Sequence, residues 1–333
     1  MILVQNYTLA VALCVMAMIC WGSWQNTRNL IGTEWRFELY YWDFTIGIVI
    51  FAILMAFTFG SFGNQGRSFL PDLAQADAKN LLSAALGGFI WNIGTLLLVA
   101  SISVAGMSVA FPIGGGIGWT LGILINYLGR PEGNPYLLFG GTVVIIAAIL
   151  LSMQSYRKLA QHQKKPSFKG IFLAFLAGIC IAFFYRFVAS SLATDFSSAG
   201  AGKITSYTAV VFFSFGALLS TAIINPVFMA KPVEGRPVTM NEWLKGSSRI
   251  HLLGLLGGAI WCLGNSVSFM AANAASPAIS YGLSNAAPVV AALWGIFVWK
   301  EFRDAPKGTG TLLTLMFVCY LIGLALIVYA RIS

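Results

Sequence analysis

Gly87-Gly88-Phe89-Ile90-Trp91-Asn92-Ile93-Gly94 is echoed 170 residues later by Gly257-Gly258-Ala259-Ile260-Trp261-Cys262-Leu263-Gly264. Both octets keep a Gly-Gly, an Ile-Trp and a final Gly in the same frame. Each is followed by a tight turn, a further apolar stretch and a charged exit, Gly129-Arg130-Pro131-Glu132 in one case and Lys300-Glu301-Phe302-Arg303 in the other. Further upstream, Ile19-Cys20 lines up with Ile179-Cys180. A repeat of this length divides the chain before any single element is considered. The division expected is a first half over 1–155, a basic cytoplasmic linker over 156–167 and a second half over 168–333.

Outward from the octets, apolar runs recur at about 6–26, 39–60, 79–101, 104–128, 135–154, 168–191, 204–227, 250–273, 276–299 and 308–330. A spanning helix needs roughly 20 apolar residues. The chain of 333 residues is 58% hydrophobic and only 9% charged, against about 25% charged in soluble domains. That composition excludes a soluble enzyme, a disordered chain and a nucleic-acid-binding domain. Ten spans use about 200 residues, which leaves short loops and no soluble catalytic domain. The expected fold is an all-α integral membrane protein, with ten transmembrane helices arranged as two inverted five-helix repeats. Five is odd, so the second half enters the membrane from the opposite side. Halves related in this way have two nearly equal arrangements around a midplane site, which favours a carrier over a channel or an enzyme.

The net charge is +9. Fourteen of the 20 Lys and Arg fall in odd-numbered loops, and six fall in even-numbered loops and at the C-terminus. The bias places the odd loops in the cytoplasm and both termini outside, in the cell inner (cytoplasmic) membrane. The first apolar run lacks a basic leader and continues through Trp21 and Trp24, so it is expected to be a retained helix rather than a signal peptide. The five cysteines have no paired metal-ligand spacing and are expected to be small packing residues. Tight hairpin turns are expected at Ser103–Gly106 and Ala274–Pro277.

Several polar and aromatic residues fall near mid-depth. Trp91, Asn92, Trp261 and Asn265 come from the two octet-bearing segments, and Tyr281, Ser284 and Asn285 from segment nine. Away from water their amides, hydroxyls and indole N–H groups need partners. Such a set suits a neutral, hydrogen-bonding solute with a flat face; helix–helix hydrogen bonding is the structural alternative. Segment four carries Pro112 and the glycines Gly114, Gly118 and Gly122. These point either to a broken helix beside a watery path or to close packing at small-xxx-small spacing. Trp21 and Trp24 lie on one helix face and either anchor the interface or wall an inner vestibule.

Charges inside segments are few. Asp43, in Tyr40-Tyr41-Trp42-Asp43-Phe44, is a functional candidate by its position in a span. It is expected to exchange a proton or bind a cation, or else to pair with Arg28 or Arg36. Arg186 is expected either to pair with Asp195 or to contact the substrate, as a gating or packing residue, and Glu132 and Glu301 to act as caps or interfacial ion partners. No phosphate-binding motif, zinc-ligand run or nucleophile elbow is present, so neither catalysis nor a cofactor is expected.

Ten helices in two halves resemble the drug/metabolite transporter superfamily. Within it, three stretches are similar to the ureide permeases and the glucose/ribose porters. The first is Trp21-Gly22-Ser23-Trp24 with Trp42-Asp43-Phe44. The second is Ser206-Tyr207-Thr208-Ala209 leading into Phe212-Phe213-Ser214. The third runs from Gly264-Asn265 through Phe269-Met270 and Ala274-Ala275 to Trp294-Gly295-Ile296 and Lys300-Glu301-Phe302-Arg303. The resemblance implies secondary active uptake of a small polar metabolite, proton-coupled as in ureide permeases, which move allantoin and related purine and pyrimidine derivatives; the porters move sugars. It implies Asp43 as the coupling residue, protons or another cation as the coupling ion, and segments five and ten at the periphery. The short basic middle loop departs from the plant pattern, which has a long insertion there, and suggests a bacterial relative. The expected partners are a small solute, the lipid bilayer and, at most, a second copy in a homodimer, with no nucleic acid. An exporter of drugs or amino acids on the same fold is the second reading. A non-transporting membrane receptor or assembly subunit is the reading from another class.

Overall fold

The structure, a computed structural model, describes residues 1–32, 35–159, 167–198 and 200–332. Ten helices among the described residues are long and apolar enough to span a bilayer. They are built from α1 (Tyr7–Ser23) with the short α2 (Asn26–Ile31), α3 (Phe37–Phe57), α5 (Ala78–Ala105), α6 (Met107–Gly129), α7 (Pro135–Leu159), α8 (Phe168–Ser191), α9 (Ser206–Ala230), α11 (Ser248–Ala275), the pair α12 (Pro277–Ser284) and α13 (Ala287–Leu293), and α14 (Thr309–Tyr329). Two short surface helices, α4 (Phe69–Gln75) and α10 (Met240–Leu244), complete the chain. Large apolar side chains such as Leu82, Val143, Leu252 and Leu321 stay exposed around the bundle. An apolar belt of this kind needs lipid to cover it. The protein is a multi-pass membrane protein.

Both chain ends lie at one end of the bundle, here called the terminal end; the other is the basic end. Tyr7 donates from its hydroxyl to the Val328 carbonyl at 2.6 Å, tying the first span to the last. Both expected hairpin turns are present with nearly the same backbone. Gly106 has φ 79° and ψ 155°, and Ser276 has φ 78° and ψ 154°. Glycine takes that conformation freely. Ser276 takes it with its hydroxyl bound to the Ile279 amide at 3.4 Å. The first four residues of the expected linker continue α7, and 160–166 lie outside the described residues.

Without a hydrophobic drive between spans, helices in lipid associate where small residues let backbones approach. Four glycines do so here. A Cβ at Gly88 would collide with the Phe213 carbonyl, and one at Gly258 with the Phe44 carbonyl. A Cβ at Gly216 would collide with the Ala85 carbonyl, and one at Gly47 with the Leu255 carbonyl. The α5–α9 crossing and the α3–α11 crossing therefore use residues 169 or 170 positions apart in the chain. At the edge, α7 and α14 pack on each other through Gly141 and Gly323.

Segment four is not broken. α6 runs unbroken through Pro112, and its glycines serve close packing: Gly114 lies against the Ala174 carbonyl and Gly118 against Ile181 of α8. The interruption falls in segment nine, between α12 and α13, at Asn285 and Ala286. Pro288 sits at the start of α13, where its missing N–H leaves no hydrogen bond unmade. A short π-helical turn at Trp294–Val298 ends the segment.

Candidate solute-binding site

The two octet tryptophans meet at the centre of the bundle. Trp91 and Trp261 have ring centroids 4.0 Å apart. Trp21 stacks on Trp261 at 5.9 Å, and Phe213 stacks on it at 5.7 Å. Phe44 touches both tryptophans at 6.5 Å and carries Trp24 at 4.5 Å. The Trp21 indole N–H donates to the Trp261 carbonyl at 3.2 Å. The result is a continuous aromatic plug.

Above the plug, toward the basic end, lies a cavity of about 580 Å³. Trp24, Arg28, Arg36, Glu38, Trp294 and Glu301 line it. Of the two segment-one tryptophans, Trp24 lines this vestibule, while Trp21 is turned into the plug. Arg36 grips Glu38 with two hydrogen bonds, the shorter 2.6 Å. Arg28 lies over the Phe37 ring at 5.7 Å. Glu301 sits partly desolvated at the rim, which pushes its carboxyl above the usual carboxylate range.

The mid-depth polar residues separate into two groups. Asn92 is fully engaged. Its Oδ1 accepts from the Tyr41 hydroxyl at 2.7 Å and from Thr221 at 3.2 Å, and its Nδ2 donates to Ser220 at 3.1 Å. Tyr281 is engaged as well, donating to the Gly118 carbonyl at 2.8 Å and to that of Ile181 at 3.1 Å. Its ring fills the space a Cβ at Gly122 would need. Asn285 donates to the Tyr281 carbonyl at 2.9 Å, which closes the end of α12.

Asn265 differs from all of these. It is 0% exposed, and neither its amide oxygen nor its amide nitrogen has a partner. It stands one helical turn beyond Trp261, on the same face. Ser268 and Ser280 are hydrogen-bonded across the α11–α12 hairpin. One turn further toward the basic end on each helix, the same register brings Asn265 level with Ser284, whose buried hydroxyl also has no partner. Leaving a buried amide or hydroxyl unpaired costs about 1–3 kcal/mol each. The pairing capacity therefore collects beside the aromatic plug.

Asp43 does not pair with Arg28 or Arg36. His251 Nδ1 lies 2.9 and 3.0 Å from its two oxygens, and the Trp243 indole N–H donates to it at 3.2 Å. The carboxylate faces α11, and a Cβ at Gly254 would meet its side chain. His251 was not singled out in the sequence. It lies 208 residues from Asp43, and a lone His at a helix start gives no signal of its own. Arg186 does not pair with Asp195, whose oxygens are held by Ser197 and Ser198. Glu132 bonds Arg130 and, at 2.8 Å, Arg331, as an interfacial ion partner.

A buried clamp also went unread. Asp72 of α4 is 0% exposed and accepts from the Thr205 amide at 2.8 Å, the Thr205 hydroxyl at 3.0 Å and the Thr208 hydroxyl at 2.6 Å. It caps the N-terminus of α9 from another part of the chain, where a carboxylate is stabilising.

The sequence pattern of the ureide permease family matches residues 40–169 and 154–330. "Ureide permease 2" and "Ureide permease 1" of Arabidopsis thaliana are 25% and 24% identical to this chain, each over 98% of both sequences. "Probable glucose uptake protein GlcU" of Staphylococcus aureus is 27% identical over 69% of this chain and 72% of its own. A solved crystal structure with 17% identity superposes on 95% of this chain and 97% of its own with a TM-score of 0.59, a likeness of fold. Taken with the ten spans, these matches place the chain in the ureide permease family.

Proposed function

We propose that the protein is a secondary active carrier that takes up a small neutral polar metabolite. The observation that carries this reading is Asn265, an unpaired buried amide one helical turn from Trp261 of the aromatic plug. An amide supplies one acceptor and two donor hydrogens, and indole faces stack on flat rings or on the apolar faces of sugars. A nucleobase- or ureide-like ring satisfies both features, as the names of the plant relatives suggest. A sugar is the second candidate, favoured by the glucose-uptake relative.

The reading extends to mechanism. The reciprocal crossings, Gly88 on Phe213 and Gly258 on Phe44, support two inverted five-helix halves, 1–155 and 168–333, that rock around the plug. The vestibule opens at the basic end, which faces the cytoplasm by the charge bias. Asp43, with His251 as its partner, is the proposed proton-coupling unit.

The test is uptake into liposomes containing only this protein, with and without an imposed proton gradient. Radiolabelled uracil, allantoin and glucose are the probes. Saturable uptake of one ring class, driven by the gradient and reduced in Asn265→Ala, is the expected result. Flux that Asn265→Ala leaves untouched overturns the site, and absence of flux for every probe overturns the carrier.

A further inference from the structure

A second cavity, of about 300 Å³, opens at the terminal end. Ligand pockets begin at about this size. Arg130, Arg186, Lys203, Asn273, Ser190 and Thr194 supply its polar lining, and no Asp or Glu contributes to it. It lies at the far end of the bundle from the vestibule and shares no residue with it.

The three cations are not equivalent. Arg130 is paired with Glu132, which it shares with Arg331. Lys203 donates to the Asn80 side-chain oxygen at 3.3 Å and to the Ser190 carbonyl, both uncharged acceptors. Arg186 has no hydrogen bond and no ion pair among the described residues. Its guanidinium rests over Gly129, where a Cβ would collide with it. Asp195, the acid nearest to it in sequence, is occupied by Ser197 and Ser198. Asn273 adds a buried side-chain oxygen with no partner. The cavity therefore offers an unpaired fork of N–H donors with excess positive charge, and one unpaired acceptor.

We infer that this cavity binds a small organic carboxylate that also carries an N–H donor. The guanidinium of Arg186 takes the carboxylate through paired, charge-assisted hydrogen bonds. Lys203 contributes field rather than geometry. The Asn273 oxygen accepts from the ligand N–H. This site stands independently of the carrier reading, because it is tested by binding alone.

The experiment is calorimetric titration of the full-length protein in nanodiscs of uncharged lipid. N-acetylglycine is the probe, compared at constant ionic strength with the neutral N-acetylglycinamide, with propionate and with sulfate. N-acetylglycine is expected to bind at least about tenfold more tightly than its amide, and Arg186→Gln to abolish that preference. Arg186→Lys should restore it only in part, since an ammonium lacks the fork. Asn273→Leu should remove the advantage of N-acetylglycine over propionate. Equal binding of acid and amide overturns the proposal, as does an unchanged preference in Arg186→Gln or no heat from N-acetylglycine at millimolar concentration. Sulfate matching N-acetylglycine reduces the site to a general anion trap and overturns the carboxylate assignment. Should Arg186→Gln fail to fold, the acid-to-amide ratio in the natural protein decides alone.

Discussion

Trp91 and Trp261 stand 170 residues apart in the chain, yet their rings meet at 4.0 Å. Each comes from the same place in its octet. A residue contacting its own sequence counterpart lies close to the axis relating two similar halves. In the proposed rocking of the two halves, this contact would lie at the pivot. Trp91→Ala and Trp261→Ala should therefore each abolish solute uptake. Removing a buried aromatic from a core costs about 3–5 kcal/mol, so a parallel melting curve must accompany the flux assay. Normal uptake by either variant would remove the plug from the mechanism.

Asn92 and Asn265 should respond in opposite ways. Asn92→Ala strands the Tyr41 and Ser220 hydroxyls, while Thr221 keeps its bond to the Ala217 carbonyl, and should lower stability by a few kcal/mol at about 1–3 per stranded group. Asn265→Leu removes an amide that has no partner. It should leave the melting temperature unchanged or raised while solute affinity falls at least about tenfold. Differential scanning fluorimetry with and without solute reads both effects.

The close crossings make a prediction about glycine. Gly258→Ala or Gly88→Ala forces a methyl group onto a neighbouring carbonyl and should cost about 1–3 kcal/mol. Gly116→Ala and Gly140→Ala meet nothing within 4 Å and should be neutral or stabilising by up to about 1 kcal/mol. Yield of folded, monodisperse protein from the four variants is a sufficient measurement.

Asp43 and His251 should behave as one unit. Asp43→Asn and His251→Phe are each expected to uncouple uptake from the proton gradient while counterflow exchange persists. The double variant should be no worse than either single one, as holds for groups in direct contact. Full gradient-driven accumulation in Asp43→Asn would end the coupling assignment.

Glu301 sets a pH dependence outside the spans. Its carboxyl is raised by desolvation, so the folded state holds the proton to higher pH than the unfolded chain does. Stability therefore falls as pH rises from the ordinary carboxylate range through the raised value. Glu301→Gln should flatten that slope and bring the melting temperature at neutral pH closer to its value at pH about 5. An unaltered slope would place the titrating group elsewhere.

The spans and hairpin turns were legible because length and hydropathy are local properties. The octets placed Trp91 and Trp261 at similar depth, but not in contact. What stayed hidden depends on partners distant in the chain. Asn92 and Asn265 look alike in sequence and lie at similar depth, yet one meets three hydroxyls and the other none. Asp43 lies close in sequence to Arg28 and Arg36, but its partner is 208 residues away. Segments four and nine both carry proline among small residues. In the first, close contact with α8 accompanies an unbroken helix; in the second, proline begins a new one. Local composition does not separate those cases.

The interruption at Asn285 and Ala286 separates two differently held parts of segment nine, both of which also pack on α1. On one side, Tyr281 is fastened to α6 and α8 through the Gly118 and Ile181 carbonyls. On the other, Val290 and Ala287 press on Gly22 of α1. The regular backbone ladder is already interrupted between them, so the joint can flex without unwinding an intact helix. α13, toward the basic end, can tilt there while α12 stays docked on α6 and α8. In the proposed rocking of the two halves, this joint would add a local hinge within one span.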